Sequence, residues 1–446
     1  MKIIFISNSG ESLPIAFRLI REGTDSAVYL HNPVYRNNYN GLVPRLNLIQ
    51  LKAAVKKADM IIFDITRPNE KTKQDVALLK TFGLKTSSKS VFGPVADKLR
   101  KLVKVIGCSA ICEDIELERA KGVELAERMG FAIPETEKFK TLSDGIKFLK
   151  SRKDLWVFKP ENNQDLDLTY VEKFQGELIT KLEAEYKERL GEKIDFILQK
   201  RIEGVEISSE VWIDLHGPVH YNHTLESKKL MTGDLGPSIG SQSNTVWIER
   251  KSDGICVPQL TNMANYLHRE GYVGPCDANC IISEKDQKPY FLEWSPRFGY
   301  DAIYCLLTLV KGRLTDFFAK DFNVDFHGGF AASERISIPP FPYADKTLLQ
   351  EYAQDVSVLN RLEGLPLFWG QDVCLKNGRL VCSGSDGILG VIAARGSSLG
   401  GAWGNVYRAI DQLKVCSYMQ FRLDGLKQSE KRLHKLRKWG LINDEI

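Results

Sequence analysis

With 446 residues, 43% of them hydrophobic and 26% charged, the chain has the ordinary composition of a folded protein and length for roughly two to four domains. A net charge of +4 is too small for this size to imply a nucleic-acid partner, and no apolar run approaches the roughly eighteen residues that span a bilayer. Nine scattered cysteines point to reduced thiols and the start carries no signal-peptide pattern, so a soluble cytoplasmic protein is expected.

Residues 1–105 read as a small parallel-sheet domain of β-α-β repeats, with strands predicted at 2–6, 27–30, 60–63 and 90–92. The first strand runs into a turn containing Ser9, Gly10, Glu11 and Ser12, where a helix N-terminus can hold an anion. Helices are predicted over 116–129 and 171–190, and the basic runs 98–104 and 431–438 have the spacing of solvated helix faces. Between the two helices, Trp156-Val-Phe-Lys-Pro160 is a short apolar strand that ends in Lys159. Residues 196–212 are two β-rich runs broken at Glu203-Gly204.

Further along, Thr232-Gly-Asp-Leu-Gly-Pro-Ser-Ile-Gly-Ser241 is glycine-rich, and backbone N–H groups around Gly236 and Gly240 could cradle an anion there. Asp277 and Asn279 alternate onto one face of a predicted strand, or else finish a loop. Tyr290-Phe-Leu-Glu-Trp-Ser-Pro-Arg-Phe-Gly299 is an apolar strand that delivers Glu293 to its end, with Arg297 four residues on. Such a carboxylate suits a hard cation and such an arginine suits phosphate or carboxylate. A strand and turn at 333–340 open a third region. The spaced pairs Cys108/Cys112 and Cys276/Cys280 are read as buried packing, since histidine is too sparse for zinc sites.

The order Lys121, Lys159, Gln199, Glu206, Glu293 resembles the nucleotide site of ATP-grasp enzymes. The segments 226–241, 380–394 and 402–424 resemble phosphoribosylamine–glycine ligase (glycinamide ribonucleotide synthetase). The resemblance runs from about 121 to 424. It implies an α/β fold: an ATP-grasp region over 106–330, a Rossmann-like domain before it over 1–105, and a small α/β domain after it over 331–446. ATP and Mg2+ (or Mn2+) are the implied cofactors, and an amino acid and a phosphorylated amine the implied substrates, in a monomer or dimer without nucleic acid or membrane. By the same resemblance Gln199, the backbone at Arg201 and Ile202, and Glu206 bind the nucleoside, while Lys121 and Lys159 contact phosphate. Glu293 holds the metal and Arg297 the acyl-phosphate oxygens.

Four departures bear on that reading. Ser295 stands where the family has an Asn ligand, so another oxygen, Asp277 or Asn279, would complete the metal set. The segment after Lys159, 160–169, lacks the glycines of the family's phosphate flap. The first turn keeps only Gly10 and Glu11 of the family's phosphoribosyl loop, and Met60-Ile-Ile-Phe-Asp-Ile-Thr-Arg-Pro68 replaces a Gly-Pro-Glu turn. The reaction that the resemblance implies is ATP-dependent joining of glycine to phosphoribosylamine through an acyl phosphate, giving glycinamide ribonucleotide, ADP and phosphate. A ligase with a different amine or carboxylate, or a non-catalytic nucleotide-binding relative, stands beside it as an alternative.

Overall fold

The computed structural model describes residues 1–66, 71–87, 90–160, 169–191 and 193–442. The glycine-free flap at 161–168, and Arg67 and Pro68 of the fourth departure, lie outside the described residues. Two compact units are present: a larger one of 1–125, 206–280 and 292–446, and a smaller one of 126–205 and 281–291.

The larger unit opens with a five-stranded parallel sheet. In space its strands run Arg45–Leu46, Asp25–Leu30, Lys2–Ser7, Met60–Phe63 and Lys104–Ile106. Ile3, Ile4, Phe5 and Ile6 are fully buried, as are Ile61, Ile62 and Phe63. Continuous apolar runs of this kind follow from helices covering both faces of a parallel sheet, each buried side chain contributing about 1.5–3 kcal/mol. The strand order reverses between Lys2–Ser7 and Met60–Phe63, and ligands of such sheets bind beyond the strand ends at that point.

Three strands of that domain were correctly predicted; the fourth was not. Residues 90–92 are no strand, because the carboxylate of the fully buried Glu113 accepts the Val91 and Phe92 N–H groups, both at 3.0 Å, and a helix, Phe92–Arg100, starts there. The last strand is Lys104–Ile106 instead. The predicted helix over 116–129 is two, Ala110–Leu117 and Arg119–Met129, separated at Glu118.

The second sheet has eight strands. Their order is Pro289–Ser295, Gly274–Ser283, Gly204–Ile213, Pro218–Met231, Leu235–Glu249, Phe330–Ser337, Ile388–Gly396 and Phe368–Gly370. The glycine-rich stretch 232–241 is not a free loop: Met231 pairs with Leu235 and Lys229 with Ser238 in a long hairpin. Gly236 and Gly240 take φ of +75° and +82°, which only glycine adopts without strain, and the register shifts beside them. The turn within 380–394 separates Arg379–Cys382 from Ile388–Gly396, and the helix Leu399–Gln412 follows. All four paired cysteines are buried and free.

The smaller unit is a four-stranded antiparallel sheet ordered Thr136–Thr141, Lys193–Lys200, Trp156–Pro160, Tyr170–Val171. The helices Leu142–Lys150 and Glu177–Glu185 pack Ile146, Leu149, Leu178 and Leu182 against Trp156, Phe158 and Phe196. The helix predicted over 171–190 begins only after Gly176, at φ +87°. The Glu172 carboxylate holds the chain there by accepting the Trp156 and Gly176 N–H groups at 3.0 and 2.9 Å. No described helix is long and apolar enough to cross a membrane.

Candidate active site

Strand alternation builds the site. On Gly204–Ile213, Val205, Ile207 and Val211 are buried at 0–1% exposure, so Glu206, Ser208 and Glu210 take the opposite face. The neighbouring strands continue that face with Asp277 and Asn279, then Glu293 and Ser295, and on the other side with Thr224, Glu226 and Lys228. A cavity of about 440 Å³ lies against this row within the larger unit. Its remaining wall comes from the turn after the first strand (Ser9, Gly10, Glu11), from Tyr35 and Asn38, and from Arg297, Tyr300, Asp301, Arg335 and Asp386.

Each of these is held in place by identifiable bonds. Gly10, at φ +95°, donates its N–H to Ser7 Oγ at 2.9 Å, and the carboxylate of the buried Asp64 accepts the Ser12 N–H at 3.0 Å. The left-handed φ favours glycine at this turn, and a Cβ there would also push against Leu13 Cδ1, 2.6 Å away. Asp386 sits on a turn whose N–H groups, from Ser385 to Gly387, donate to the buried Asp372 carboxylate at 2.9–3.1 Å.

Three cations line the cavity, and every one already has a carboxylate partner. Arg297 donates from Nε to Glu116 at 2.7 Å and from Nη1 to the Phe298 carbonyl at 3.2 Å. Arg335 donates twice to Asp301, at 2.8 and 3.1 Å, and through Nη1 to the Ile239 carbonyl at 3.3 Å. Lys228 donates to Glu206 at 2.7 Å and lies 3.7 Å from Glu226. Burial alone would lower the pKa of Lys228 and Arg297, but the adjacent carboxylates outweigh it and hold both above their ordinary values.

The carboxylates behave in the opposite way. Burial pushes Glu226 up to about 7 and Asp386 to about 8, the latter with help from Asp372. Burial also raises Glu11, and it raises Asp277 well above the carboxylate range despite a 2.5 Å hydrogen bond from Ser208. Glu206 is the exception: its burial is outweighed by Lys228, and its pKa is lowered. A bound cation would relieve the cost of ionising these buried carboxylates.

Metal ligands can be judged from the donor set. Asn279 is 6% exposed, and its amide oxygen has no hydrogen-bond partner, a costly state for a buried polar atom unless a ligand satisfies it. Glu293, Ser295 and Asp277 present oxygen on the same face, which suits a hard divalent cation. Among the described residues no group of three or more His, Cys, Asp or Glu could hold a metal, so neutral oxygens would have to share the coordination.

Of the residues singled out from sequence, Arg297, Glu293, Ser295, Asp277, Asn279 and Gly240 line the cavity, and Glu206 touches it through Lys228 and Asn279. Gly236 sits farther out on the exposed hairpin. Lys121 pairs instead with Asp114 and Glu118, at 3.0 and 3.1 Å, on an exposed part of its helix. In the smaller unit Lys159 Nζ donates to Gln199 Oε1 at 2.7 Å, beside Thr136. There Arg201 donates to the Glu172 and Lys173 carbonyls, and Ile202 follows it past the strand end. Sequence reasoning missed Lys228, Glu226, Arg335, Asp301 and Asp386. Glu226 and Lys228 carried a legible signal, a two-residue alternation on a β-rich run; the others are joined only by the fold.

No family model matches the chain, and no curated protein matches its sequence. Solved structures do. Phosphoribosylamine–glycine ligase from Thermotoga maritima superposes with a TM-score of 0.66 at 16% identity, over 95% of this chain and 99% of its own. Biotin carboxylase from Campylobacter jejuni gives 0.58 at 13% identity, over 97% and 94%. N5-carboxyaminoimidazole ribonucleotide synthetase from Thermotoga maritima gives 0.55 at 14% identity, over 94% and 99%.

Proposed function

We propose that this chain, which has the ATP-grasp fold, is an ATP-dependent carboxylate–amine ligase working through an acyl phosphate. The observation that carries the reading is the cavity itself. It sets the unpartnered Asn279 oxygen and Glu293 beside Lys228 and Arg297. Phosphoryl transfer is mostly positioning and charge neutralisation, and these residue types supply both. Mg2+ bound by Glu293, Asn279 and Asp277, with Ser295 at the edge, would neutralise charge on the ATP phosphates.

The chain's own residues then have these roles. Arg297, fixed by Glu116, orients the carboxylate substrate so that its oxygen attacks the γ-phosphorus and ADP departs. Lys228 stabilises the negative charge that develops on the transferred phosphoryl oxygens. The amine nitrogen next attacks the acyl carbon, the C–O bond to phosphate breaks, and the amine's proton passes to a carboxylate of the wall. For the nucleotide, Glu206 would take the ribose hydroxyls. Lys121 and Lys159 would contact phosphate, Gln199 with the backbone at Arg201 and Ile202 would meet the adenine, and the hairpin amides at Gly236 and Gly240 would cradle an anion.

In this reading 1–105 is the substrate domain, 106–330 the ATP-grasp region and 331–446 the C-terminal domain of a cytoplasmic enzyme. Likeness to phosphoribosylamine–glycine ligase supports glycine and phosphoribosylamine as substrates. The acidic wall around Glu11 and Asp386 favours a second version of the same chemistry, with a different amine. Hydroxylamine tests the common step. With Mg-ATP and glycine or another carboxylate it should trap the acyl phosphate as a hydroxamate, with equal ADP. Hydroxamate absent across a carboxylate panel, while ATP still binds, contradicts the proposal.

A further inference from the structure

The end of the cavity nearest the parallel sheet is where that sheet's strand order reverses, the usual place for a substrate of such a sheet. Its charges are unbalanced. Among the described residues Glu11 and Asp386 line it with no hydrogen-bonded cation: Arg335 acts on both and Arg297 on Glu11 only through space, while Glu11 repels Asp386 and both act on Tyr35. Glu11 Oε2 is buried without a hydrogen-bond partner. Asp64, directly behind the turn, leaves Oδ1 in the same state at 0% exposure. Arg335 is the cation that acts on both, and its Nε, Nη1 and Nη2 all donate within the protein already.

From this arrangement we propose that the amine substrate is a phosphate-free ammonium compound, bound between Glu11, Asp386 and the Tyr35 ring. The proposal rests on the ligase reading above and narrows its amine. A phosphate monoester here would face two carboxylates while Arg335, which acts on both, is committed to Asp301 and the Ile239 carbonyl, whereas an ammonium gains two ion pairs and an aromatic face. The unpartnered Glu11 oxygen is satisfied by an N–H of the ligand. The same carboxylates can then receive the proton that the ammonium loses before its nitrogen attacks.

Equilibrium binding separates this proposal from the ligase reading, because it needs no turnover. Calorimetric titration of the full chain with 1,4-diaminobutane and, separately, with ribose 5-phosphate uses one probe of each class. Saturable diamine binding, weakened at least tenfold by Glu11→Gln and by Asp386→Asn, is expected, together with no saturable binding of ribose 5-phosphate. Both substitutions keep the oxygens that accept from Ser9 and from the Ile388 N–H, so the turns they belong to persist. Ribose 5-phosphate binding more tightly than the diamine, no diamine binding at all, or diamine binding untouched by both substitutions would each overturn the proposal. Diamine binding without any ADP release across carboxylates would instead count against the ligase reading alone.

Discussion

Arg335 grips Asp301 through two parallel N–H bonds of 2.8 and 3.1 Å, with Asp301 fully buried and Arg335 7% exposed. The pair joins the strand Phe330–Ser337 to the segment that follows Arg297, and so closes the cavity wall. Removing one partner strands a charge in the interior. Arg335→Met should therefore cost about 3–5 kcal/mol, and Arg335→Met with Asp301→Leu distinctly less. Urea denaturation of the two variants checks this; equal losses would mean the ion pair is not what matters there.

Glu293 is an exposed side chain on a strand whose neighbours Phe291 and Trp294 are buried, so it adds no packing, and in the proposed site it would supply an oxygen ligand. Glu293→Ala should remove most Mg-dependent turnover and leave the unfolding midpoint within about 0.5 kcal/mol of the parent. ATP turnover that survives the change unaltered would take Glu293 out of the metal site.

Asn279 and Ser295 test the same centre from its neutral side. Asn279→Ala should raise the Mg2+ concentration needed for half-maximal turnover at least tenfold. Ser295→Asn should keep or improve turnover, since an amide oxygen is a better magnesium ligand than a hydroxyl. A fall to the Glu293→Ala level in Ser295→Asn would show that the hydroxyl has a specific task.

Much of this centre was legible in the sequence because strands alternate. Asp277 and Asn279 could be placed on one face of a predicted strand and Glu293 at the end of another, while Ser295 was reached only through the family resemblance; all four line the cavity. What alternation could not supply was contact between distant segments. Asp386 faces Glu11 across 375 positions of sequence, and Asp301 finds Arg335 by a contact that no local pattern encodes. The same limit explains the lost strand at 90–92, where a buried Glu113 some twenty residues on turned an apolar run into a helix start. In 171–190 a single residue decided: Gly176, in left-handed backbone, ended the predicted helix's first turns.

Stability should fall as pH rises from about 5 to 8. Burial raises the folded-state pKa of Glu334 to about 8 and of Glu210 and Asp64 to about 7, against about 4 in an unfolded chain. For these groups the folded protein binds more protons than the unfolded one across that window, so their contribution to the slope of unfolding free energy with pH is negative; the buried His220, lowered to about 3, opposes them below about pH 6.5. The lowered carboxylates Glu206 and Glu249 act in the opposite sense, and their stabilisation is lost only below about pH 4. Glu334→Gln should flatten the decline. Its Oε1 still accepts from Gln242 and the Arg422 N–H, and the Ser243 hydroxyl can turn to accept. Melting temperatures at pH 5, 6.5 and 8 for both proteins decide it, and parallel curves would remove Glu334 from the explanation.

The most direct test of the central claim is ADP release from Mg-ATP with glycine, measured with no amine, with phosphoribosylamine generated in the assay, and with a phosphate-free amine. The account predicts ADP release that requires both a carboxylate and an amine, is supported best by the phosphate-free amine, and disappears in Glu293→Ala. ADP release indifferent to both substrates, or none with any pair while ATP binds, would contradict it.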